Sequence, residues 1–98
     1  MAYLTIARIT GDPEPLLHGY HETADVMAGV GRDHGLIVHA AAQTGDGLVI
    51  VNLWPSQDHS ERAAADPRRG AVIQQHGLEP SQLHHEHHEV AGYELFAQ

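Results

Sequence analysis

Two adjacent segments of this 98-residue chain are apolar on both faces, and that limits what it can fold into. Gly35–Thr44 and Leu48–Trp54 are rich in Val, Ile, Leu and Ala, and Gly45-Asp46-Gly47 between them is a hairpin signal. With Asp46-Gly47 as the two turn residues, Gln43 faces Ile50, Ala41 faces Asn52, and His39 faces Trp54. Ile37, His39, Ala41, Gln43, Leu48, Ile50, Asn52 and Trp54 then share one side of the sheet. Leu36, Val38, Ala40, Ala42, Val49, Val51 and Leu53 share the other. Alternate residues of a strand point to opposite faces, so strands apolar on both must be covered on both.

The rest of the chain supplies a cover for only one face. Ala2–Ile9 alternates as a first strand. Asp12-Pro13 starts a helix that is predicted to run to about Val30, with Leu17, Tyr20, Ala24, Met27 and Ala28 as its apolar stripe. Gly29, Gly31 and Gly35 end it. Ser56 caps a helix to about Ala65, and Asp66-Pro67 starts another that stops at Gly77. A final strand is expected from about Leu83 to Ala97. The order β-α-β-β-α-β is that of a ferredoxin-like α+β sandwich, a single domain over residues 1–98. One helical layer leaves the second sheet face bare, and a second copy of the chain is the economical cover. A homodimer is expected.

Composition narrows the partners. Thirteen acids against five arginines give a net charge of −8, and Arg68-Arg69 is the sole basic doublet. Nucleic acid is excluded as a partner, because binding phosphates needs clustered cations. The absence of cysteine removes thiolate nucleophiles and zinc–thiolate sites. No apolar run approaches the ~20 residues of a membrane span, and Met1–Thr5 has no signal-peptide character. A soluble cytoplasmic protein with no membrane partner is the expectation. Ten histidines would carry the charge from −8 to +2 if all were protonated, so the electrostatics should change steeply near pH 6.

Two constellations can carry chemistry. His39, Gln43, Asn52 and Trp54 project from one face, where a cavity would combine aromatic and aliphatic walls with a few convergent polar groups, as small-molecule sites do. Trp54 and Gln43 would shape the pocket, and Tyr3, on an outer strand, can line it. The same residues also suit plain packing and rim hydrogen bonding. The second constellation is Leu83-His84-His85-Glu86-His87-His88-Glu89. One strand face carries His85, His87 and Glu89, and the other carries His84, Glu86 and His88. Either set has the donors for a divalent transition metal such as zinc, copper, nickel or iron, and either also suits a solvated strand. On the first helix His18, His21, Glu22 and Asp25 share a wet face. No phosphate-binding glycine loop or nucleophile elbow is present.

Gly35-Leu36-Ile37-Val38-His39, the Gly45-Asp46-Gly47 turn and Leu48–Ser56 resemble the antibiotic biosynthesis monooxygenase-like family of dimeric α/β barrels. A hydrophobic strand ending in Trp-x-Ser, here Trp54-Pro55-Ser56, is typical of that family. The Gly77-Leu78-Glu79-Pro80 segment and the His-Glu-rich final strand are in keeping with it. The resemblance implies two protomers packed sheet against sheet, each with a cavity between sheet and helices. It also implies oxidation of an aromatic or polyketide-like small molecule with no cofactor required, the substrate anion itself reducing dioxygen; in that reading His39 takes a phenolic proton and Asn52 stabilises an oxyanion. Haem-degrading relatives place a tryptophan and a histidine where this chain has residues near Ala63 and Ile73, so haem degradation is not implied. A metal-dependent enzyme or metal-binding protein using His84–Glu89, and a non-catalytic ligand-binding or stress-response dimer, are the alternatives.

Overall fold

The computed structural model describes residues 1–97. Its strands are β1 (Tyr3–Thr10), β2 (Val38–Thr44), β3 (Gly47–Trp54) and β4 (Leu83–Glu89), in one antiparallel sheet of order β2-β3-β1-β4. Its helices are α1 (Pro13–Glu22), α2 (Ala24–Asp33), α3 (Gln57–Ala64) and α4 (Pro67–Gln75), and a short 3-10 turn at Pro80–Gln82 leads into β4. The α+β, ferredoxin-like order read from the sequence is the one observed. None of the described helices is long and apolar enough to cross a membrane.

Local chemistry places the helix starts where the sequence puts them. The side chains of Asp12, Ser56 and Asp66 accept hydrogen bonds from the backbone N–H of Glu14, His59 and Arg68. The first helix, expected to be continuous to Val30, is instead broken at Thr23. There the Thr23 hydroxyl donates to the carbonyls of Gly19 (3.0 Å) and Tyr20 (3.4 Å), a back-bond that bends the chain into a second helix. Gly29 and Gly31 lie inside α2 rather than ending it. Gly31 is needed for close packing, since a Cβ there would stand 2.8 Å from Leu36 Cδ2.

The hairpin turn is Gly45-Asp46, one residue earlier than Asp46-Gly47. His39 therefore faces Asn52, Ala41 faces Ile50, and Gln43 faces Leu48. Gly47 explains the choice: it pairs with Thr10 of β1 at φ +157°, and a Cβ there would fall 1.8 Å from the Ile9 carbonyl oxygen. The one glycine that β1 can approach so closely is used in the ladder. The register moves by two residues, an even number, so every side chain keeps its expected face.

All four helices reach the same face of the sheet. Val30 of α2 and Ala63 of α3 form a buried cluster with Trp54, with Tyr3, Met27 and Leu36 packed around it. The opposite face carries Leu4, Ile6, Val38, Val49, Val51 and Leu53 with no helix over it. The last strand, expected to reach Ala97, ends at Glu89; Val90 is half-buried and donates to the Ala2 carbonyl at 2.9 Å, and residues 91–97 run exposed. Val90, Tyr93 and Leu95 instead line a shallow apolar groove of about 260 Å³ with Leu4, Val51 and Leu53. The chain exposes 6360 Å², against roughly 5,500 Å² for a compact monomer of its mass.

Candidate functional site

The helix-covered face is organised in cross-strand rows. His39 of β2 is level with Asn52 of β3, Asn52 with Thr5 of β1, and Thr5 with His87 of β4. One polar row thus crosses the whole sheet, three strand spacings or ~14 Å wide. On one side of it lies the row holding Tyr3, Trp54 and Glu89. On the other lies Ala41, Ile50, Ala7 and His85. Two alanines in that last row keep its floor low.

Above the row stands Tyr20. Asp12 and Pro13 fix where α1 begins, and Tyr20, two turns further on, is directed at the sheet. Its hydroxyl lies 2.5 Å from His39 Nε2, and His39 Nδ1 lies 2.6 Å from Asn52 Oδ1. A carboxamide oxygen only accepts, so Nδ1 carries the ring proton and donates to Asn52. Nε2 of the neutral ring is then bare and accepts from the Tyr20 hydroxyl. Asn52 sets the tautomer, His39 presents a proton acceptor, and a phenol already occupies it. His39 is exposed, so the relay opens to solvent on one side.

The remaining expected residues divide. Trp54 is only 5% exposed and its indole N–H donates to Thr5 Oγ1 at 3.2 Å, so it forms a buried side wall of the row. Tyr3 sits opposite Trp54, its ring centroid 6.1 Å from that of His87. Gln43 shares the face but stands four residues along β2 from His39, ~13 Å away, beside the hairpin. A cleft of about 380 Å³ opens at that end among Arg8, Thr10, Asp46 and Gln82, apart from the relay. Tyr93, expected on a strand beside Tyr3, lies in the exposed terminal segment.

The histidine-rich strand does not assemble a metal centre: among the described residues no three His, Asp or Glu side chains are placed to hold one ion. The physical reason is that each face has other business. His85 Nε2 accepts from Arg69 Nη2 at 3.3 Å, which puts a cation where a metal would sit. The His85 pKa is lowered, chiefly by burial, then by Arg69 and by His87 and His84. His87 stacks with His85 at 6.3 Å and meets Tyr3. On the opposite face Glu86 is taken by Arg8 at 3.2 Å and approached by His88 at 3.6 Å, which holds its carboxyl below the usual range. His18 and Glu22 of α1 make an exposed pair at 3.4 Å.

Three residues at this face escape a reading of the sequence. Tyr20 looks like one more member of an apolar helix stripe. Arg69 looks like half of a surface doublet. His76 caps α4 with its ring against Gly19, and its Nε2 is a buried side-chain atom with no partner. Each acquires its neighbour only through the packing of helices on sheet. The pair at the other end of α4 is structural. Arg68 binds Asp66 through Nε (3.0 Å) and Nη2 (2.8 Å) and reaches Asp33 at 2.9 Å, while His34 donates to Asp66 at 3.0 Å. Arg68 first, then His34, holds the Asp66 carboxyl far below its ordinary range.

No family model matches the chain, and no curated protein does. Solved structures do. SnoaB, a cofactor-independent oxygenase from Streptomyces nogalater, superimposes with a TM-score of 0.64 at 16% identity, over 99% of this chain and 98% of that one. The ActVA-Orf6 monooxygenase of Streptomyces coelicolor, in complex with nanaomycin D, gives 0.72 at 14%, over 98% and 92%. The chain has the fold of the antibiotic biosynthesis monooxygenases. A dimeric ferredoxin-like protein of unknown function from Jannaschia sp. CCS1 gives 0.75 at 9%, over 92% and 100%. At these identities what is shared with the monooxygenases is the architecture, over essentially the full length of each chain.

Proposed function

We propose that the protein is a homodimeric, cofactor-independent monooxygenase acting on an electron-rich aromatic small molecule. The observation that carries the reading is the Tyr20–His39–Asn52 relay, a bare imidazole nitrogen already receiving a phenol proton on the covered face. Its support from other proteins is the fold shared with SnoaB, itself a cofactor-independent oxygenase. The homodimer rests on the uncovered apolar sheet face and on the dimeric neighbour.

In this reading a phenolic substrate displaces the Tyr20 hydroxyl from His39, or hydrogen-bonds to Tyr20 and loses its proton along the relay. Asn52 holds the imidazolium that forms by accepting from Nδ1–H. The resulting anion is electron-rich enough to reduce dioxygen directly. For a ring methylene the stoichiometry is R₂CH₂ + O₂ → R₂C=O + H₂O, so one oxygen atom enters the product, the other leaves as water, and no external reductant is consumed. Trp54 and Tyr3 wall one side of the row, and the 98-residue chain acts as a single domain. A general base contributes roughly 10²–10⁴-fold.

The test is oxygen uptake with phenolic anthrones as substrates. The wild-type protein is expected to consume one dioxygen per ketone formed. His39→Ala and Asn52→Ala are each expected to lower turnover at least tenfold with the dimer intact. Unchanged turnover in His39→Ala would remove the site.

A further inference from the structure

The end of the polar row opposite His39 carries a cation with no acid beside it. Arg8, Arg62 and Arg68 each reach a carboxylate within 4 Å, and Arg32, which reaches none, is exposed to water in the last turn of α2. Arg69, which extends from α4 onto the covered face and is half-buried there, reaches none among the described residues. Its hydrogen bond goes to the neutral imidazole of His85. A guanidinium is a fork of donors that binds a carboxylate through two parallel bonds, and one neutral nitrogen leaves most of that capacity unused. Desolvating such a cation is unfavourable unless an anion arrives. His85 and His87 stand next to it, stacked on each other, and His87 is in the same row as Thr5, Asn52 and His39. At the C-terminal cap of α4, two turns on from Arg69, His76 Nε2 is a buried polar atom with no partner among the described residues.

We propose that Arg69, with His85 and His87 beside it, is a carboxylate subsite, so that the ligand of the covered face is an aromatic hydroxy acid. Its phenol meets Tyr20 and His39, and its carboxylate meets Arg69. The rings lie between, over β3 and β1, within the three strand spacings or ~14 Å from His39 to β4, which a fused two- or three-ring skeleton bridges with a polar group at each end. This inference rests on the aromatic-site reading above and adds the charge of the substrate and the direction in which it lies.

Trp54 is the chain's single tryptophan and borders the row, so its fluorescence reports binding. Three probes are titrated into the wild-type protein: 6-hydroxy-2-naphthoate, its methyl ester, and 2-naphthol. The acid is expected to bind at least tenfold more tightly than the ester or the naphthol. In Arg69→Gln, with its circular dichroism spectrum matching wild type, the preference is expected to fall below threefold while 2-naphthol affinity stays within twofold. Equal affinity of acid and ester for the wild-type protein overturns the subsite and leaves the aromatic reading intact. Persistence of the preference in Arg69→Gln also overturns it. Failure of all three probes to bind overturns both. The ester comparison needs no variant and decides the matter even if Arg69→Gln does not fold.

Discussion

Two glycines two positions apart, Gly45 and Gly47, give a quantitative test of the hairpin that sets the relay. Replacing Gly47 by alanine puts a methyl group 1.8 Å from the Ile9 carbonyl oxygen, at φ +157°. Ordinary contact is ~3.2 Å or more, so β1 must move off β3 by over an ångström at their last pair, Thr10 with Gly47. The backbone conformation itself costs about 1–3 kcal/mol for a residue with a side chain. Losing a ladder hydrogen bond adds about 1 kcal/mol. Together these are about 3 kcal/mol, against a total stability of roughly 5–15 kcal/mol for a chain of this length. At roughly 4–8 °C per kcal/mol the melting temperature should fall by about 12–24 °C. Gly45→Ala is the control, because nothing lies within 4 Å of its Cβ position and its φ is not positive. It should change stability by under about 1 kcal/mol in either direction. Both are read by thermal unfolding at one protein concentration, followed through Trp54 fluorescence. A Gly47→Ala variant that melts within about 4 °C of wild type would refute the packing argument and, with it, the register that sets His39 opposite Asn52.

Other consequences are open to measurement. Asp66→Asn keeps the helix cap but loses the ion pair. Because the folded carboxyl titrates far below its unfolded value of about 3.9, its contribution is present above that pH and lost as pH falls, so wild type should lose stability more steeply than the variant across roughly pH 5 to 2. Parallel acid limbs in thermal melts would contradict this. Thr5→Val leaves the Trp54 indole N–H without its acceptor and should cost about 1–2 kcal/mol, a drop of roughly 4–16 °C; a neutral substitution would mean water serves the indole equally well. Ile6→Glu puts a charge on the uncovered sheet face and should turn a sedimenting dimer into a monomer, whereas a variant that stays dimeric would place the interface elsewhere.

The fold was legible because its signals are local. Side-chain caps at Asp12, Ser56 and Asp66 and the period of Leu48–Trp54 need only neighbouring residues. What stayed hidden depended on distant ones. The two-residue shift in the hairpin came from Ile9, almost forty residues away, whose carbonyl needs Gly47 in the ladder. The break at Thr23 came from a hydroxyl choosing two carbonyls of its own helix. At the site, His39 and Asn52 were readable as same-face residues, and the even shift preserved that. Their direct pairing and the arrival of Tyr20 were not, because the packing angle of α1 on the sheet leaves no mark in its own sequence. The histidine-rich strand shows the converse. Its spacing suits a metal, yet ligation needs the neighbours to stay clear, and Arg69 and Arg8 do not.

Asn52 fixes His39 with its proton on Nδ1 and its acceptor nitrogen turned to Tyr20. Long-range ¹H–¹⁵N NMR of the histidine rings, assigned with a His39→Gln variant, measures this directly. At roughly pH 8 His39 should show a protonated Nδ1 and a bare Nε2, and Asn52→Ala should let the two tautomers mix. A His39 ring carrying its proton on Nε2 in the wild-type protein would contradict the relay and the chemistry drawn from it.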